Sequence, residues 1–202
     1  LAEEACTIEI EKLSGYVGKQ DQYIAAYGGI TKFKINKQGK VTVNPFLLPQ
    51  SFVKELEGSL FIFYTGITRE EKQILKGQSI KTTKNDKQVT ENLHTIKEIG
   101  IEIEEALQKE DIPLFGSLMH KHWMSKRTLS NAVTSSRIDY LYELGIKNGA
   151  VGGKIMGAGG GGFLLFCCPE SPKRLRAAMK LEGLTELFFN FDMEGAKIVA
   201  HI

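Results

Sequence analysis

No apolar run in the 202 residues approaches the roughly 20 needed to span a bilayer, and the opening Leu-Ala-Glu-Glu-Ala-Cys lacks the basic flank and apolar core of a secretory leader. Neither a membrane span nor export is expected, and a cytoplasmic setting follows. Strong charge of one sign is also absent. The formal net charge of +2 is too small to mark a nucleic-acid or lipid-surface binder, although it suits a small anionic ligand. Cysteine is scarce, with three residues in no metal or disulfide pattern: Cys167 and Cys168 are neighbours pointing to opposite faces of a strand, and Cys6 is remote in sequence. No internal repeat or low-complexity stretch occurs. A composition of 42% hydrophobic and 25% charged residues is that of an ordinary globular chain of one domain or two small ones.

Glycine, by contrast, is concentrated. Gly157-Ala158-Gly159-Gly160-Gly161-Gly162 replaces side chains with bare backbone over six residues, although glycine costs roughly 0.5 to 1 kcal/mol relative to alanine inside regular structure. Consecutive N–H groups in such a run can form an anion-binding nest, which makes phosphate the first ligand to consider. The run contains the spacing Gly157-x-Gly159-x-x-Gly162, but a dinucleotide turn must open a helix. Here Phe163 to Cys168 follows and reads as a buried strand, so a nucleotide-binding oxidoreductase is disfavoured. Val151 to Met156 reads as a short strand, and the loop joins two strands.

The remaining elements follow from periodicity and punctuation. Ala2, Ala5, Cys6 and Leu13 recur near helical spacing with no N-cap residue before them, so the chain is expected to begin within an element. A short helix over Lys19 to Tyr27 ends at Gly28-Gly29, and Ile30 to Lys34 and Val41 to Pro45 flank a hairpin turn at Asn36 to Gly39. Around Leu48-Pro49-Gln50-Ser51 a proline and a capping serine mark a boundary between two halves, followed by a helix near Phe52 to Leu56. Leu60 to Tyr64 is a strand. Helices are expected over Asn85 to Lys109, Ile112 to Leu129 (capped by Asp111, with Pro113 in its first turn) and Ser135 to Asn148. Another opens at Ser171-Pro172, and the tail reads as strands at Glu186 to Asn190 and Lys197 to Ile202 around a turn at Met193-Glu194-Gly195. Strands interleaved with helices give an α+β layer architecture, a small sheet covered by helices on one face.

Three ordered blocks carry a family resemblance: Gly-Lys-Gln-Asp-Gln-Tyr at 18 to 23, Ala-Tyr-Gly-Gly at 26 to 29, and Lys-Ile-Met-Gly-Ala-Gly-Gly-Gly-Gly-Phe at 154 to 163. Together they resemble the GHMP small-molecule kinases, and His120-Lys-His122-Trp123-Met-Ser-Lys126-Arg127 looks like the branch acting on heptose 7-phosphates. The resemblance runs through the whole chain but matches only the C-terminal part of such a kinase. It implies a two-layer fold in which residues 1–50 are the remainder of an N-terminal domain. Residues 51–202 would form a C-terminal domain with a ferredoxin-like sheet covered by helices. It also implies ATP and Mg²⁺ as cofactors and a sugar phosphate as partner, with no role for nucleic acid or membrane; pairing of two copies stays open.

Carried over residue by residue, the resemblance puts Asp21 beside the acceptor hydroxyl and Glu9, twelve residues earlier, at a magnesium position. Glu11 is the rival, and about 200° of helical rotation separates it from Glu9. The loop glycines Gly157, Gly159, Gly160, Gly161 and Gly162 match the family's loop that lies against the ATP phosphates, and Gln22 falls in the substrate block. A sugar phosphate needs a further anion site, for which Lys19, Arg69, Lys126, Arg127 and Arg137 are available, Arg69 foremost because it leaves a strand end. His120 and His122 point apart on a helix, which predicts one packed and one exposed histidine, and Trp123 reads as core. The family's Pro-x-x-x-Gly-Leu-Gly-Ser-Ser loop does not occur in these residues. The chain alone is therefore expected to bind ATP poorly and to lack kinase activity. The alternative is a non-catalytic sugar- or nucleotide-binding or regulatory protein with the same fold.

Overall fold

The computed structural model describes residues 1–15, 17–68, 87–129 and 133–199, the first three residues of the third stretch by backbone alone. The chain forms two compact units, Leu1–Leu48 with Phe189–Ile202, and Pro49–Phe188.

In the first unit, α1 (Ala2–Cys6) runs directly into a π-helical segment, Thr7–Lys12. Sequence periodicity had indicated one α-helix. The widened turn appears in the Leu13 amide, which donates to the Ile8 carbonyl five residues back at 2.9 Å, and the Gly15 amide then donates to Glu9 O at 2.9 Å. Such insertions in helices concentrate at functional sites. α2 (Gln20–Tyr27) stops at Gly28, whose φ of 68° is one that glycine adopts without the clash a Cβ would bring. Strands β1 (Thr31–Ile35) and β2 (Val41–Pro45) pair antiparallel, with Phe33 opposite Val43. Asn36 Oδ1 closes their turn by accepting from the Gln38 and Lys40 amides at 3.0 and 2.9 Å. Ala2, Cys6 and Tyr23 form a small buried core against Phe33, Val41 and Val43.

The tail adds no strand to this unit among residues 197–199, where a strand was expected, and residues 200–202 lie outside the described residues. It is instead tied to α2 by backbone bonds, Gly29 N to Asp192 O at 2.7 Å and Ala196 N to Ala26 O at 3.2 Å. The turn at 193–195 does form, with Asp192 Oδ1 accepting from the amides of Glu194 and Gly195.

The second unit begins with α3 (Gln50–Ser59), which follows Pro49 without a side-chain cap, so Ser51 lies inside the helix rather than capping it. β3 (Leu60–Tyr64) is buried over its first four residues, as a continuous apolar run requires. Then come α4 (Lys87–Gln108), α5 (Ile112–Lys126) and α6 (Ser136–Lys147). Asp111 caps α5 by accepting from the Leu114 amide at 2.8 Å, and Ser135 caps α6 through the Ile138 amide at 3.4 Å. α5 ends at Lys126, short of the expected Leu129, because Arg127 to Leu129 turn back on the helix end. β4 (Gly152–Ile155), β5 (Phe163–Cys167), α7 (Pro172–Leu181) and β6 (Thr185–Leu187) complete the unit.

The sheet order is β4-β5-β3-β6, antiparallel throughout. In chain order this is strand, helices, two strands, helix, strand, the ferredoxin-like split arrangement. Its core joins Phe63, Leu164 and Phe166 of the sheet to Trp123, Ile138, Leu141 and Tyr142 of the helices and to Leu175 and Met179 of α7. α5 lies against β4 at very short range: a Cβ on Gly152 would stand 1.9 Å from the Gly116 carbonyl oxygen. Glycine at 152 therefore sets the distance between helix and sheet. All three cysteines are buried and free, and burial pushes the Cys167 thiol up to about 12.

Candidate functional site

The site-forming residues of the first unit gather at the start of α2 and on the π-helical segment. Asp21 is exposed in the first turn of α2, where the helix dipole favours a carboxylate. Glu9 and Asp21 line one open cleft of about 440 Å³, together with Gln22 and the alanine face of Ala25, Ala26 and Ala196. Gln22 Nε2 donates to Glu9 Oε2, so the amide next to Asp21 in sequence orients the glutamate. Glu11 is exposed and does not line that cleft.

Lys19 is committed elsewhere. Its ammonium donates to both Glu3 carboxylate oxygens at 2.9 and 2.8 Å and to the Gly39 carbonyl at 3.0 Å. Tyr23 Oη also donates to Glu3, and the Lys19 and Tyr23 hydrogen bonds hold that carboxyl below the usual range. The same bond, with burial, pushes the Tyr23 hydroxyl up to about 12.

In the second unit, the glycine loop joins β4 to β5, the strand-to-strand setting read from the sequence. It is not a free-standing nest. The Gly160 amide donates to Val133 O at 2.7 Å, the Gly162 amide donates to Ile67 O at 2.8 Å, and Gly162 O accepts from Thr65 N and Oγ1, each at 2.9 Å. Residues 158–161 are buried between these carbonyls: a Cβ on Gly161 would come within 2.4 Å of Ile67 O and one on Gly159 within 2.9 Å of Val133 O. Backbone-to-backbone contact thus demands glycine here, whatever the ligand. The amides of Gly157, Ala158, Gly159 and Gly161 donate to no acceptor among the described residues, and Gly157 is exposed. The loop presents to solvent its Gly157 end, not its whole length.

At that end Lys126 Nζ donates to the Gly157 carbonyl. Burial, then the charge of Lys154, lowers the Lys126 ammonium to about 8, and burial lowers Lys154 as well. His122, one helical turn before Lys126, is driven down to about 4 by burial, then by Lys154 and Lys126. Its Nδ1 is buried without a partner among the described residues, as is Trp123 Nε1. Trp123 is core, as its sequence context indicates. The histidine pair is not one packed and one exposed: both are half-buried, and His120 Nδ1 meets Tyr142 Oη at 2.7 Å. Helix α5 packs against both α4 and β4, which half-covers the two histidines and leaves Lys121 between them exposed.

Of the other anion-site candidates, Arg127 pairs with Asp139 at 3.0 Å and Arg137 with Glu182 at 2.7 Å. Arg69 lies outside the described residues. Sequence reasoning missed Lys154 and the Gln22 to Glu9 bond. The lysine was in plain sight at the head of the glycine block, but only the packing of α5 on β4 gives it a neighbour.

A magnesium ion keeps several waters and takes one or two protein carboxylates. Glu9 and Asp21 on one cleft fit that donor set, and no group of three metal-ligating side chains occurs among the described residues. No helix among the described residues is long and apolar enough to cross a membrane.

This fold, with a glycine loop joining the antiparallel neighbours β4 and β5, is that of a known class. Residues 103–183 match the family described as GHMP kinases C terminal, so the chain carries that C-terminal domain. A D-glycero-alpha-D-manno-heptose 7-phosphate kinase of Campylobacter jejuni is 35% identical over 98% of this chain and 58% of its own length. The crystal structure of a D-glycero-D-manno-heptose 1-phosphate kinase from Bacteroides thetaiotaomicron superposes with a TM-score of 0.69 at 25% identity, covering 98% of this chain and 55% of that one. L. major mevalonate kinase shares the fold, with a TM-score of 0.67 at 21% identity over 81% of this chain and 48% of that one. The chain spans about half the length of these relatives.

Proposed function

We propose that this chain serves an ATP-dependent sugar kinase that phosphorylates the anomeric hydroxyl of a heptose 7-phosphate or a closely related sugar. The observation that carries the reading is the cleft shared by Asp21, Glu9 and Gln22 in a chain 35% identical to a heptose 7-phosphate kinase. Phosphoryl transfer asks a protein chiefly to align the nucleophile and neutralise charge on the phosphoryl oxygens. In this reading Asp21 accepts the proton of the sugar hydroxyl or holds it in line, its exposed carboxylate free to meet a substrate. Glu9, steadied by Gln22, holds Mg²⁺, which when bound neutralises the ATP phosphates. Gly157, Gly159, Gly160, Gly161 and Gly162 form the wall against which the family's phosphate loop packs. The exposed Gly157 end, whose amide donates to no acceptor among the described residues, supports backbone approach there. Lys19, Gln22, Arg69 and Lys126 remain the substrate-side assignments, with Lys126 the best supported because no carboxylate neutralises it among the described residues. Residues 1–50 and 51–202 act as parts of the two kinase domains, and three buried free cysteines suit work in the reducing cytoplasm.

Because the Gly-Leu-Gly-Ser-Ser phosphate loop does not occur within these residues, the chain by itself should transfer no phosphate from ATP. Phosphorylation of heptose 7-phosphate is measured with the chain alone and with a family N-terminal segment joined to it. Activity is expected only in the joined protein, and Asp21→Asn should lower kcat by about 10² to 10⁴ with the fold intact. Full activity in the Asp21→Asn protein would overturn the assignment.

A further inference from the structure

We propose that Lys126 and Lys154, at the exposed Gly157 end of the glycine loop, form a binding site for a phosphate monoester dianion. The kinase reading is needed only to name the source of that anion; the site itself follows from the packing. Lys126 occupies the last turn of α5 and His122 lies four residues earlier on the same face. Lys154 sits on β4 two residues beyond Gly152, hence on the face of the strand that abuts α5. Each of the three feels the desolvation of the cleft between helix and strand, and Lys154 stands close enough to both others to depress their protonation.

Two half-buried ammonium groups in one helix–strand cleft are unfavourable unless an anion joins them, because burial removes the water that would otherwise screen them. Every other cation weighed for this role and described here has a carboxylate: Lys19 has Glu3, Arg127 has Asp139 and Arg137 has Glu182. Lys126 and Lys154 have none among the described residues. Lys126 spends one N–H on the Gly157 carbonyl, leaving two donors, and the Lys154 ammonium has no hydrogen-bond partner among the described residues. Next to the Lys126–Gly157 contact, the amides of Gly157 and Ala158 donate to no acceptor among the described residues. A tetrahedral dianion would satisfy these donors and cancel the repulsion. A structural role alone, Lys126 tying the helix end to the loop, leaves Lys154 unexplained.

The test measures the melting temperature of the full chain against inorganic phosphate, with chloride at matched ionic strength, for the parent, Lys126→Met, Lys154→Met and the exposed control Lys180→Met. Phosphate should stabilise the parent and the control in a saturable way, with apparent affinity at least tenfold weaker in Lys154→Met and Lys126→Met. Without phosphate, Lys154→Met should melt above the parent, since it removes like-charge repulsion; a lysine with a purely structural role would do the opposite. Equal phosphate stabilisation of all four proteins, or none in the parent, overturns the proposal. ATP and a sugar 7-phosphate are then added as competitors. Displacement by either supports the site and names its source, and displacement by neither counts against it.

Discussion

Replacing Gly152 by alanine should separate helix α5 from the sheet. The added Cβ would lie 1.9 Å from the Gly116 carbonyl oxygen, about 1.5 Å inside the 3.4 Å at which ordinary van der Waals contact begins, and 2.9 Å from the His120 amide nitrogen. Both obstacles are helix backbone, so no side-chain rotation relieves them. Either α5 retreats and loosens the packing of Trp123 on the sheet, or β4 shifts and weakens its pairing with β5. Overpacking of a good core costs typically 1–3 kcal/mol and occasionally more, and backbone-to-backbone overlap belongs at the upper end, so we expect about 3 kcal/mol. For a chain of this size that lowers Tm by roughly 6 to 12 °C. Gly100→Ala is the matched control. Gly100 is exposed within α4, its Cβ would meet nothing within 4 Å, and the change should stabilise by about 0.5 to 1 kcal/mol through helix propensity. Urea unfolding of the three proteins gives the comparison directly. If Gly152→Ala lies within about 0.5 kcal/mol of the parent, the close approach of α5 and β4 is not what glycine provides there.

Burial holds His122 at about 4 against an ordinary 6.5, so between those values the unfolded chain binds the extra proton and stability rises with pH. Between pH 7 and pH 5 the parent should lose about 2 kcal/mol more than His122→Leu in urea titrations, and identical losses would refute the buried, neutral histidine. Phe166→Ala removes a ring packed 5.9 Å from Tyr142 and 6.3 Å from Phe63 and should cost about 3–5 kcal/mol by the same measurement.

Local chemistry made much of the fold legible. Asp111 and Ser135 announce helices because their side chains satisfy amides that would otherwise be orphaned, and both do so here. Leu60 to Tyr64 is legible as a strand because an apolar run too short for a helix must be buried on both faces. The π-helical segment was not legible: α- and π-turns differ by one residue in the carbonyl each amide selects, and the apolar spacing of Thr7–Lys12 suits either. Nor was the absence of a strand over 197–199, since an apolar pattern does not say whether a partner edge is available; just before it the Ala196 amide donates to Ala26 of α2 and the Asp192 carbonyl accepts from Gly29. At the candidate site, the Asp-Gln block and the glycine run stood out by residue type. Lys154 did not, because a lysine beside glycines looks like any solvated lysine until a helix is laid over it.

The sequence by itself determined the likeness to the GHMP kinase C-terminal domain, the order of most of the elements and the position of the glycine loop between two strands, since these rest on contacts between near neighbours and on motifs of fixed spelling. Only the tertiary structure decided which carbonyls fill that loop, that Glu9 rather than Glu11 shares a cleft with Asp21, and that Lys126 and Lys154 share the α5–β4 cleft with no carboxylate partner among the described residues. Those facts depend on backbones distant in sequence coming within a few ångströms, and on the loss of water that follows. No residue type announces either in advance.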